Sequence, residues 1–230
     1  MSYSNIGTPR RASSCPRPSR RPALGRARSS WTLRLSQLYL GLALYGVSAA
    51  MQVRAGLGLD PWDVLHQGVA ALVHRGIGTV VVVVGALVLL AWIPLRQRPG
   101  IGTVSNVVVL GVVMNLTLQV LPNQHGYPAR IAMLLAAIVL CGIATGMYIA
   151  AGLGPGPRDG LMTGLARRSG VSVRLTRTLL ELTVLSGGWL LGGSVGIGTV
   201  LYALAIGPLA QLFLKLFSGR PMPAVAEQLP

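Results

Sequence analysis

The chain has 230 residues, of which 52% are hydrophobic and 11% charged, and its formal net charge is +15. A soluble domain carries about 25% charged residues, so this composition points to a membrane protein. The basic residues are separated by long apolar runs and build no continuous face, which argues against nucleic acid as a partner.

Residues 1–34 hold eight arginines and no acidic residue, among many Ser, Pro and Ala. Such a segment buries too little apolar surface to offset chain entropy, and a disordered basic cytoplasmic tail is expected. Cys15 and Cys141 are too few for a disulfide framework or a Cys metal cluster, so both are expected to be free thiols. Crossing a bilayer takes about 20 apolar residues per helix. Six runs approach that length: 35–53, 79–95, 103–121, 131–150, 173–191 and 199–217. Two shorter runs, 64–73 and 160–166, read as re-entrant or interfacial helices. Pro94, Pro99, Pro122, Pro128, Gly192 and Gly193 mark the breaks. Thr79, Thr103 and Thr199 each follow Gly-Ile-Gly and are expected to cap the helix that starts there. Residues 218–230 form a short C-terminal tail.

With six spans, Arg and Lys divide unequally between the two sides. One side holds only Arg54, Arg75 and Arg130; the other holds the remaining seventeen. The positive-inside rule then places both termini in the cytoplasm.

The chain also repeats itself at a shift of 96 residues. AGLG at 55–58 meets AGLG at 151–154, Pro61 meets Pro157, Asp63 meets Asp159, and GIGT at 100–103 meets GIGT at 196–199. Three spans per copy would turn the second copy, 131–217, upside down relative to the first, 35–122. Inverted repeats of this kind are a recurrent plan of secondary transporters, with the site near the midplane between the copies. The expected fold is therefore an all-α membrane protein with six transmembrane helices. They form two inverted three-helix repeats, each with a short re-entrant or interfacial helix.

Gly56, Gly58, Gly152 and Gly154 are expected to end helices, and Pro61 and Pro157 to stand just before the short ones. Asp63 and Asp159 would then be N-caps. Two readings fit. The motifs are capped surface helices on opposite faces, or half-helices dipping in from opposite sides to a polar site. On the expected topology, a cysteine at position 62 is reachable from outside and one at 158 from inside. Glu181 is an acidic residue inside a span, where it would pair with Arg177 or serve a proton or substrate. Asn115 and Gln211 occupy matching positions and would bond each other or line a polar path. Gly142 and Gly146, like Gly46 and Ala50, suit close helix packing. His66 and His74 could share a helix face near Asp63 or simply lie at the interface, and Arg158 would either meet an anion or a lipid phosphate or be one more cytoplasmic arginine that follows the positive-inside rule. Signatures of hydrolases, zinc enzymes and phosphate-binding loops are absent from the sequence, so neither an enzyme nor a cofactor is expected.

AGLGLDPWDVL (55–65), GIGTVSN (100–106), AGLGPGPRDGLMTGL (151–165) and GIGTVLYALAIGP (196–208) resemble the YczE/YitT-like bacterial integral membrane proteins, closest to the YczE branch. The likeness spans roughly residues 33–217. It implies a multi-span protein of the bacterial plasma membrane and carries over no catalytic or ligand residue. The expected function is that of a small-solute transporter or permease with a site near Asp63, Asp159, Arg158, Asn115, Gln211 and Glu181. The alternative is a non-transporting accessory or regulatory protein that docks a partner on its basic cytoplasmic face. The expected partners are the bilayer, a small solute, and a protein partner or a second copy.

Overall fold

The structure is a computed structural model that describes residues 30–218. The expected tail at 1–34 therefore lies largely outside the described residues, as do Cys15 and residues 219–230. Ser30 N-caps the first helix by accepting from the Leu33 amide at 3.3 Å, so residues 31–34 belong to a helix rather than to the tail.

Eight helices and no strands make up the described residues. In chain order they are α1 (Trp31–Ala55), α2 (Pro61–Val73), α3 (Ile77–Ala91), α4 (Ile101–Val120), α5 (Tyr127–Ala150), α6 (Pro157–Ser169), α7 (Val173–Leu190) and α8 (Ile197–Ser218). Each expected apolar run falls within or largely overlaps one of these helices. By length and composition, α4, α5 and α8 each suffice to cross a membrane. Helices α2 and α3, bent by 112° where they meet, pass only as a pair. Six crossings are thus not established: α3 has 15 residues, and α7 carries Arg174, Arg177 and Glu181.

The glycine-threonine corners differ from the expected caps. Helices α3, α4 and α8 begin at the isoleucine of Gly-Ile-Gly, which puts the threonine one turn into the helix. Thr103 Oγ1 accepts from the Gly100 amide at 3.2 Å, and Thr199 Oγ1 accepts from the Gly196 amide at 3.3 Å. The hydroxyl thus reaches back to an orphan donor ahead of the helix, as the third residue of a capping box does.

Helix α1 packs along α5 at the centre; α4 lies on α1 and α8 on α5. Small residues let these backbones approach closely. A Cβ at Gly46 would stand 2.8 Å from the Leu110 carbonyl of α4, and one at Gly142 would stand 2.7 Å from Leu209 Cβ of α8. The short helices cross over: α2 packs on α7, and α6 packs on α3 and α7.

Several contacts recur 96 residues apart. The Gly102 amide donates to the Leu153 carbonyl at 2.9 Å, and the Gly198 amide donates to the Leu57 carbonyl at 2.8 Å. Each AGLG loop therefore docks on the GIGT corner of the other half. Gly58 (φ 116°) and Gly154 (φ 132°) lie at these contacts in backbone conformations that side chains disfavour. A Cβ on either would meet the opposite threonine hydroxyl, Thr199 or Thr103, at 2.7 or 2.8 Å.

The arginines at the starts of the central helices repeat the same logic. Arg34 of α1 donates to the Ala151 and Gly152 carbonyls at 2.9 Å each, and Arg130 of α5 donates to the Ala55 and Gly56 carbonyls at 2.6 and 2.5 Å. Each guanidinium satisfies carbonyls left open at the end of the other central helix. Replacing Arg130 by alanine is expected to lower stability by about 1.5–3 kcal/mol, read from unfolding in detergent. A change below a few tenths would mean that water replaces it fully.

Candidate functional site

Asp60, rather than Asp63, caps α2. Its Oδ1 accepts from the Trp62 and Asp63 amides at 2.9 Å each, and Pro61 takes the first helical position, where a missing N–H costs nothing. That places Asp63 in the first turn of α2, buried, with its Oδ1 2.9 Å from His66 Nδ1. The second copy has Gly156 as its cap residue and Asp159 in the first turn of α6, where Asp159 accepts from the Tyr148 hydroxyl at 3.4 Å.

The starts of α2 and α6 meet. Arg158, the second residue of α6, brings Nη1 to 3.5 Å from Asp60 Oδ1 and Nη2 to 3.7 Å from Asp63 Oδ1. Its guanidinium carbon lies 5.2 Å from the centroid of the Trp62 ring. The motifs are therefore not two caps on opposite faces. Positions 62 and 158, expected to be reached from opposite sides, are in contact. Pairing holds the carboxylates, which could not be buried as lone charges. The plane of Trp62 fixes the fork.

This junction lines a cavity of about 700 Å³. Tyr45 of α1, Tyr148 of α5 and Tyr202 of α8 contribute its polar wall, and α3 contributes an apolar one through Val81, Val84 and Val88. Asp60, His66, Arg158 and Asp159 lie in the lining, and Arg167, Arg174, Arg177 and Glu181 extend it toward the α6–α7 turn. Its size is that of a small-molecule site.

The other expected site residues divide. Glu181 joins the lining, where Arg177 Nε donates to its Oε1 at 2.9 Å, the expected one-turn pair. Asn115 stands outside it: its Oδ1 accepts from the Gly78 amide at 3.0 Å and its Nδ2 donates to Thr79 Oγ1 at 3.1 Å. The Asn115 amide thus fastens α4 to the start of α3. Gln211, half-buried on α8, is also outside the lining, as is Asp63 behind its pair with Arg158. His74 ends α2 at φ 52° and makes no face with His66. Among the described residues no group of three or more His, Cys, Asp or Glu side chains is arranged to hold a metal ion.

Asp60 and His66 are the residues the sequence did not single out as the centre. A signal for both exists in the repeat. At the 96-residue shift, Asp60 faces Gly156, Trp62 faces Arg158, and His66 faces Met162. The motif's glycines and prolines are shared and build the frame. Asp63 is shared with Asp159, and the divergent positions Asp60 and Arg158 complete the charged junction.

The profile of the family of unknown function DUF6198 matches residues 32–215. An uncharacterized protein of Haemophilus influenzae is 38% identical over 198 residues, covering 85% of this chain and 91% of the relative. The uncharacterized membrane protein YczE of Bacillus subtilis is 34% identical over 178 residues, covering 76% and 82%. A second Bacillus subtilis protein, the uncharacterized YyaS, is 23% identical over 181 residues, covering 77% and 90%. No solved structure matches.

Proposed function

The chain belongs to the DUF6198 family, whose function is unknown, and for this YczE-like membrane protein we propose the role of a small-solute transporter. The solute site is the cavity where α2 and α6 meet. The observation that carries this reading is the Arg158–Asp60–Asp63 junction, which opens on about 700 Å³ of space between the two halves. Charges are kept inside a membrane protein at a cost, and such residues mark solute or ion pathways.

In this reading α1, α3, α4, α5, α7 and α8 cross the plasma membrane, and α2 and α6 dip in from opposite faces. The two halves are inverted copies, with both termini in the cytoplasm. The contacts that recur at the 96-residue shift support it, as does the unequal distribution of arginine. The N-terminal ends of α2 and α6, each carrying partial positive charge, converge on the site and favour the carboxylates placed there. The α6–α7 turn, rich in arginine, is the cytoplasmic mouth.

A second reading rests on the exposed Arg167, Arg168 and Arg174 at that mouth, a surface suited to an acidic partner. In it, the protein supports another complex and moves nothing. The full chain in proteoliposomes, challenged with labelled cations, carboxylates, amino acids and sugars, decides between them. Transport predicts uptake of one class, lost on replacement of Arg158. No flux for any class, with stable capture of a partner through the arginine cluster, would favour the second reading.

A further inference from the structure

We infer that the Asp60–Asp63–Arg158 junction is a cation-exchange site, at which an organic cation in the cavity and a proton on the Asp63–His66 pair take turns. The inference rests on the transporter reading above and names the solute class and the coupling ion.

The charges of the junction do not balance. Two carboxylates, 3% and 1% exposed, face one guanidinium. Both ion pairs, at 3.5 and 3.7 Å, are longer than good hydrogen bonds. Asp60 Oδ1 is occupied by two backbone amides, and Asp63 Oδ1 is occupied by His66. Asp63 Oδ2 is buried and has no hydrogen-bond partner among the described residues. One positive charge would complete this cluster. A proton on His66 supplies it, because the ring then donates to Asp63 as a cation. A cation in the cavity supplies it equally well, and the two compete.

The lining favours an organic cation. Arg158 already shows what the site accepts: a flat monovalent cation on the Trp62 ring beside two carboxylates. Tyr45 and Tyr148 stand next to it as an edge-to-face pair with centroids 6.3 Å apart, and both line the cavity. Aromatic faces attract such cations, and the valine wall of α3 suits an apolar body rather than a hydrated ion. The other ionisable groups facing the junction are Tyr202 from α8 and Asp159 from α6, with Arg177 and Glu181 of α7 beyond them. Arg177 and Glu181 neutralise each other. Arg167 and Arg174 are positive but exposed at the mouth, where salt screens a charge within about 8 Å. The buried excess of carboxylate therefore decides the sign at the site.

The exchange balances in charge: the cation enters, the imidazolium Nδ1–H or Nε2–H releases its proton to water in the cavity, and the net charge of the cluster, Asp159 included, is unchanged. Reversed on the other side, the same step moves a cation and a proton in opposite directions.

The test is calorimetric titration of the full chain in detergent with tetraethylammonium, and with benzoate and glucose as controls, in buffers of differing ionisation enthalpy. The expected result is binding of tetraethylammonium alone, with up to one proton released per cation. Its affinity should fall about tenfold for each unit by which the pH is lowered through the range where the proton holds the site. Asp63→Asn should weaken binding at least tenfold, and His66→Gln should abolish the proton release. The wild-type selectivity stands even if the Asp63 variant fails to fold. Binding of benzoate or glucose in preference to the cation, or cation binding with no proton released, overturns the inference. Proteoliposome flux separates this from failure of the transporter reading. Flux of an anionic or neutral solute without cation binding sinks only the exchange site. Cation binding with proton release but no cation–proton counterflow sinks transport and leaves the site standing.

Discussion

Replacing Arg158 by glutamine is expected to lower the stability of the protein by about 3 kcal/mol, the low end for breaking a buried pair because the guanidinium is 24% exposed. The loss comes from the carboxylates left behind. Asp60 and Asp63 are almost wholly buried, and Arg158 is the guanidinium that pairs with both. A cation in low dielectric cannot be removed without stranding its partners, whereas removing all the charges together can be nearly neutral. The triple variant Asp60→Asn, Asp63→Asn, Arg158→Gln is therefore expected to recover most of the lost stability while remaining inactive. Unfolding in detergent measures both. A single variant within about 0.5 kcal/mol of the parent, the range of an ordinary surface substitution, would mean that Arg158 does not hold the carboxylates.

A larger side chain at Gly160 should be nearly as costly. Trp92, 1% exposed, lies flat against this glycine at the end of α3 and donates its Nε1 to the Pro157 carbonyl at 3.1 Å. A Cβ at Gly160 would stand 1.9 Å from Cζ2 of the indole, and the ring cannot retreat without losing its hydrogen bond. Gly160→Ala is expected to cost about 2–3 kcal/mol, in the upper part of the range for overpacking. It should also shift α6, and with it Arg158, away from Asp60. Loss of near-ultraviolet signal from the buried tryptophan, together with recovery of stability on adding Trp92→Leu, would identify the cause. An unchanged melting temperature would show that α6 is not seated on Trp92.

Much of the frame was legible in the chain. Apolar runs bounded by Gly and Pro marked all eight helices, because burial in hydrocarbon or in a core demands the same uninterrupted stretches. The 96-residue shift marked which corners are equivalent, and the structure uses them equivalently at Gly102 and Gly198, and at Arg34 and Arg130. What the chain hid was which acidic residue caps and what Arg158 meets. Asp60 and Asp63 both stand near a helix start, and only the observed start at Pro61 tells the cap from the first turn. Arg158 looked like one more cytoplasmic arginine because charge counting assigns sides and says nothing about depth. Asn115 was misplaced for a related reason. Its match with Gln211 is a fact of sequence, but its amide bonds the amide of Gly78 and the hydroxyl of Thr79 within its own half, outside the cavity lining. Divergence between the copies, at Asp60 against Gly156 and Trp62 against Arg158, was the better guide to chemistry than their identity.

The proposed solute cavity can be tested with one cysteine. Ile206 lies near the middle of α8, half-buried, and lines the cavity. In a background with Cys15 and Cys141 replaced, Ile206→Cys should react with a charged, membrane-impermeant thiol reagent in inverted vesicles, and tetraethylammonium should slow that reaction. A cysteine that stays unmodified until the protein is denatured would contradict a solute cavity between the two halves.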